Sequence, residues 1–124
     1  MIPRYRAWLK EDKEMIDVEE IHFYNGEFDF IGDAITWMCK SDDCVLMQST
    51  GLTDKNGKEI FEGDVVKMAK NVYSEPTYYE VVRHRGGAYR LESKQYGCEL
   101  WLRHTDCEIA GDIYENPELV GVSS

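Results

Sequence analysis

The sequence predicts a mainly β protein that ends in a small closed or partly closed barrel. Three observations lead there: apolar residues alternate with polar ones over short segments, Asn-Gly pairs separate such segments at 25–26 and 56–57, and no long stretch keeps helical spacing. Short strands leave edges to protect, and closing the sheet protects them.

The first strand spans residues 4–9, where Tyr5, Ala7 and Leu9 share one side and Arg4, Arg6 and Trp8 the other. Lys10 to Glu14 is entirely charged and makes a turn, so Met15-Ile16-Asp17-Val18 returns as the second arm of a hairpin. Ile21 to Tyr24 is extended, and Asn25-Gly26 supplies a two-residue hairpin turn before Glu27 to Ile31. Phe28 and Phe30 face away from Glu27 and Asp29, as expected of a sheet with one wet side. Between Asp33 and Lys40, Ala34, Ile35, Trp37 and Met38 recur at helical spacing behind an N-cap residue type, compatible with a single helical turn. Ser41-Asp42-Asp43 is a turn, and Cys44 to Gln48 is an apolar strand.

The stretch Gln48 to Lys67 organises the chain. Asn56-Gly57 is the pair a type I′ turn demands, because both central residues need positive φ, and Gly51 adds a further flexible point. Gly63-Asp64 breaks the chain ahead of Val65-Val66, whose branched side chains suit a pleated surface. Five strands follow, at Asp64–Lys70, Tyr78–His84, Ala88–Glu92, Cys98–Leu102 and Cys107–Ile113, with a turn at Arg85-Gly86-Gly87 and a stop at Asn116-Pro117. The domain organisation read from this is an N-terminal β-rich part at 1–48, a glycine-rich connector at 49–62 and the barrel at 63–124.

With 124 residues, 43% of them hydrophobic and 31% charged, the chain has the composition of a folded domain. Its formal net charge is −10, which disfavours general DNA binding because phosphate repels an acidic surface. The acidity is uneven: residues 1–62 hold 7 Lys and Arg against 14 Asp and Glu, a net of −7, and residues 63–124 hold 7 against 10, a net of −3. No apolar run has the length of a signal-peptide core or a membrane span, so a soluble cytoplasmic protein is expected. Reduced thiols are then expected at Cys39, Cys44, Cys98 and Cys107, whose spacings fit a zinc site poorly.

Candidate sites are few. Asp54, Glu59, Glu62 and Asp64 offer hard oxygen ligands, but a calcium loop needs further ligands that this stretch lacks; turn chemistry explains Gly51, Asn56, Gly57, Gly63 and Asp64 better. Arg83-His84-Arg85-Gly86-Gly87-Ala88-Tyr89-Arg90 is locally basic, and Arg83, Arg85, Tyr89 and Arg90 are the candidate contacts for a nucleic acid or a partner. Pairing of these arginines with acidic neighbours across strands or in a partner subunit is the alternative. His22, His84 and His104 are dispersed, and no nucleophile elbow, zinc-protease helix or phosphate loop is present. Cys44 or Cys98 beside a histidine would be the remaining nucleophile. Neither catalytic residues nor a cofactor or metal are expected. Trp8, Trp37, Trp101, Phe28, Phe30, Tyr78 and Tyr79 are expected in cores or a subunit interface.

Two blocks carry a family likeness. Leu46-Met47-Gln48-x-Thr50-Gly51-Leu52-x-Asp54-Lys55-Asn56-Gly57-Lys58-Glu59-Ile60-Phe61-Glu62-Gly63-Asp64-Val65-Val66, and downstream Gly111-Asp112-Ile113-Tyr114-Glu115-Asn116-Pro117-Glu118-Leu119, resemble the YopX family of phage and prophage proteins. Arg6-Ala7-Trp8, the charged turn and Met15 fit as well, whereas Met68 to Cys107 carries no family signature. The resemblance implies a β-rich N-terminal part, an SH3-like C-terminal barrel and homo-oligomers encoded by phages or prophages of Gram-positive bacteria. It implies no catalytic residues and no established biochemical role.

The function expected is therefore a non-catalytic accessory protein working through protein–protein contacts and self-assembly, with a host or phage protein as partner and no membrane. A nucleic-acid module using the 83–90 hairpin is one alternative. Mimicry of DNA by the acidic surface, to inhibit a host protein, is another.

Overall fold

Alternation of more and less buried residues is clearest at Tyr5–Leu9, Glu27–Gly32 and Thr77–Arg83. The computed structural model describes residues 4–32, 35, 37–69, 77–84, 87–93 and 97–120. Its strands are β1 (Tyr5–Leu9), β2 (Glu14–Val18), β3 (Ile21–Tyr24), β4 (Glu27–Gly32), β5 (Met38–Lys40), β6 (Cys44–Thr53), β7 (Glu59–Phe61), β8 (Asp64–Met68), β9 (Thr77–Arg83), β10 (Tyr89–Glu92), β11 (Gly97–Glu99) and β12 (Glu108–Asp112). Among the described residues a short helix, α1 (Leu100–Arg103), interrupts the series, and 3-10 turns occupy Ser41–Asp43, His104–Asp106 and Pro117–Val120. The protein is mainly β, its strands arranged in antiparallel sheets.

The chain divides into two compact units, Met1–Gln48 and Ser49–Ser124. In the first, β1 pairs antiparallel with β2 and with the Cys44–Gln48 half of β6, while β3, β4 and β5 form a separate three-stranded sheet. Ala7, Leu9, Ile31 and Cys44 are its buried core, and Ile16, Val18, Ile21, Phe28, Cys39 and Leu46 pack against them. The charged loop between β1 and β2 closes with Lys13 N–H donating to the Leu9 carbonyl at 2.8 Å, Lys13 having a φ of 53°. Asn25 and Gly26 both have positive φ, 52° and 79°, as the predicted two-residue hairpin requires, and Tyr24 faces Glu27 across it.

In the second unit, Ser49–Thr53 of β6 pairs with β7, and a curled sheet runs in the order β11-β10-β9-β8-β12. Ile60, Val66, Met68, Tyr79, Val81, Leu91, Leu100 and Cys107 form its core. Ile60 shows that the glycine-rich stretch contributes directly to that core. Gly63, at a φ of 87°, joins three segments: its N–H donates to the Val81 carbonyl at 2.9 Å, and its carbonyl accepts from Ile113 N–H at 3.0 Å.

Three local expectations are corrected. Asn56 does not take positive φ, so the 56–57 reversal is not type I′; Gly57 alone is left-handed, at 80°. The Asp54 carboxylate explains this, because Oδ1 accepts from Asn56 N–H and Lys58 N–H, each at 2.9 Å, and imposes an Asx turn one residue earlier. Second, Leu100–Arg103 is helical rather than extended: the chain buries Leu100, leaves Trp101 and Leu102 in solvent, and turns to place Cys107 in the core. Third, Met38–Lys40 is a strand paired with β4, not the end of a helical turn; Asp33, Ala34 and Thr36 of that segment lie outside the described residues.

Candidate functional site

The basic segment is a β9–β10 arm, and its register decides what its charges face. Arg83 stands opposite Tyr89, and Arg90 stands opposite Val82, so strand alternation puts Arg83 and Arg90 on opposite faces. Arg90 Nη1 donates to Glu99 Oε1 at 2.7 Å, and its Nε lies 3.7 Å from Glu92 Oε1. His84 Nε2 lies 2.9 Å from the same Glu92 oxygen. Tyr89 packs against the second unit's core, Arg83 is exposed, and Arg85 and Gly86 lie outside the described residues. Arg90 and His84 thus both face carboxylates.

The buried carboxylates serve the backbone. Asp54, 4% exposed, accepts from Asn56 and Lys58 through Oδ1 and from Ile109 N–H through Oδ2 at 3.0 Å, pinning the 54–58 loop to β12. Burial pushes its carboxyl up, but the N–H groups of Ile109, Lys58 and Asn56, with the Lys58 charge, outweigh that and hold it below the ordinary 3.8. Asp64 Oδ2 accepts from Phe61 N–H at 2.8 Å, closing the turn around Gly63. Asp112 Oδ1 accepts from Tyr114 N–H at 2.9 Å and Glu115 N–H at 2.8 Å. Gly51, with a φ of 79°, lies within β6 with open space where a Cβ would sit. Among the described residues no three His, Cys, Asp or Glu side chains gather as a metal site.

The thiols are core groups. Burial and then the neighbouring Cys39 push the Cys44 thiol up to about 12, and burial and then Cys98 push Cys107 up to about 11. Burial also raises Cys98. A thiol so placed stays protonated at neutral pH and is a poor nucleophile. His104, which precedes Cys107, sets its Nδ1 2.7 Å from the Thr53 carbonyl oxygen.

Sequence reasoning named Trp37 and Trp101 as core or interface residues, and the structure leaves both exposed; it did not single out Phe23 and Tyr24. Phe23 and Tyr24, 60% and 70% exposed, stand beside the β3–β4 turn, where a bulge between His22 and Phe23 shifts the register and breaks alternation. His22 stacks on Phe30 at a centroid distance of 4.3 Å. In the same unit Ile35, Trp37 and Met38 are also exposed, and in the second unit so are Trp101 and Leu102. Trp37 borders a groove of about 530 Å³ lined also by Asp17, Val18, Glu19, Glu20, Ile31 and Gly32. Asn25-Gly26 was the available signal for the first patch: aromatic residues touching a two-residue turn sit at a hairpin tip, beyond the reach of a core.

A family model described as YopX protein matches residues 4–121. Among solved structures, the chain is similar to protein EF1440 from Enterococcus faecalis, with 29% identity, a TM-score of 0.71 and coverage of 97% of this chain and 99% of that one. It is also similar to protein yopX from Bacillus subtilis, with 22% identity, a TM-score of 0.66 and coverage of 94% and 96%, a likeness of fold. No curated protein matches.

Proposed function

The chain belongs to the YopX family, and from that premise we propose a non-catalytic phage or prophage accessory protein that acts through protein–protein contacts. It associates with copies of itself and with a phage or host protein in the bacterial cytoplasm. The observation that carries this reading is the exposed pair Phe23 and Tyr24 at the β3–β4 tip. Large rings held in water by a rigid two-residue turn cost solvation that a second surface recovers, and aromatic residues are enriched where proteins meet. Two further features support it: the buried carboxylates are occupied by backbone N–H groups, and burial raises the Cys44 and Cys107 thiols. The carboxylates facing Arg90 and His84 favour a protein surface over a phosphate-binding one.

Sedimentation across a concentration series tests the reading. We expect the wild-type chain to associate, and the double variant Phe23→Ser/Tyr24→Ser to remain monomeric with an unchanged melting curve. Association undiminished in that variant would remove the β3–β4 tip from the account.

A further inference from the structure

We infer that the Trp37 groove of the first unit binds one cationic side chain, an ammonium or guanidinium group presented by a basic segment of a partner protein. The inference rests on the protein-contact reading and names the partner's chemistry. Construction of the groove begins at Gly32, whose N–H donates to the Glu20 carbonyl at 3.0 Å and so draws the β2–β3 link against the end of β4. Gly32 has a φ of 97°, and a Cβ there would lie 2.3 Å from the Trp37 carbonyl oxygen and 2.7 Å from the Trp37 ring carbon Cε3. The absent side chain is therefore what lets the indole lie against the strand and form a wall. That indole is 46% exposed. Val18 and Ile31 give the groove apolar lining, and Asp17, Glu19 and Glu20 give it three acidic residues, with no Lys or Arg among the described lining residues.

An aromatic face beside carboxylates selects for positive charge in two ways. The ring quadrupole attracts a cation lying over it, and the carboxylates attract the same cation while repelling anions. Glu20 also has His22 Nε2 3.4 Å from its Oε2, which leaves Asp17 and Glu19 as the carboxylates outside that contact. The surrounding unit adds to the field: Met1–Gln48 contains 11 Asp and Glu against 5 Lys and Arg. The apolar stem of a lysine or arginine suits the Val18 and Ile31 lining while its head reaches the carboxylates.

Titration of the full-length chain with tetra-arginine and tetra-lysine peptides, followed by the Trp37 indole N–H and Gly32 amide resonances, tests this. We expect saturable shifts at both groups, no shift with tetra-glutamate, and affinity lowered about fivefold by Trp37→Leu, the size of a partly desolvated cation–π contact. Glu19→Gln, which keeps the shape, should weaken binding as well, and Trp37→Phe should retain part of it. Peptide shifts spread over the acidic surface and unmoved by Trp37→Leu, or no saturable shift at all, would overturn the inference. The Phe23→Ser/Tyr24→Ser variant separates the two proposals: it should lose self-association and keep the peptide site. A wild-type chain that stays monomeric but binds the peptides would retain the groove and remove self-assembly.

Discussion

Asp54 shows how one side chain sets local structure. Its carboxylate takes three backbone N–H groups from two segments 51 or more residues apart in the sequence, Asn56 and Lys58 on one side and Ile109 on the other. Asp54→Asn replaces one acceptor oxygen by a donor, so at least one buried N–H loses its partner, at a cost of about 1–3 kcal/mol. The pH dependence follows from the lowered carboxyl. The ionised group stabilises the fold fully above the ordinary 3.8, and that contribution is lost as pH falls through the lower native value. Urea denaturation should therefore show a gap between wild type and Asp54→Asn that is constant at neutral pH and narrows in strong acid. A turn at 54–58 was legible from Asn56-Gly57, but its type was not, because a side chain one turn upstream competes for the N–H groups that define it.

At the scale of elements, two strand ends carry opposed lessons. Gly32 closes β4 with a conformation and a Trp37 contact that both exclude a side chain. Gly32→Ala should lower stability by about 1–3 kcal/mol in urea titration, since it introduces left-handed strain as well as overlap. On the outer face of β9 and β10, Glu80 stands directly opposite Glu92. Burial, then the Glu92 charge, raises the Glu80 carboxyl above its ordinary 4.5. A raised carboxyl contributes stability below the ordinary value and loses it as pH rises through the native one. Glu80→Gln should therefore stabilise the protein at neutral pH by about 0.2–1 kcal/mol, an advantage that disappears below 4.5 and is measurable as a pH-dependent melting shift. Strands were legible wherever polar and apolar residues alternate. Leu100-Trp101-Leu102 has no such alternation, and the need to bury Leu100 and Cys107 from a short connection made it a helix.

Across the whole molecule, the mainly β class was legible because Asn-Gly pairs and short alternating segments punctuate the chain. The surface was not. Asn25-Gly26 marks the hairpin tip that bears Phe23 and Tyr24, but the register shift beside it and the glycine conformation behind the Trp37 groove are not encoded by periodicity. The uneven basic segment drew attention in the sequence, but sheet register splits Arg83 from Arg90 and pairs the latter with Glu99. On the function proposed above, the protein works by presenting an apolar surface to another protein, first of all to itself. Light scattering on a sizing column, at physiological and at high salt, tests it most directly. Self-association through that surface gives a defined multiple of the 14.4 kDa chain that persists in high salt, because burial of aromatic rings is not screened by ions. A mass of 14.4 kDa at every concentration in both salts would contradict it.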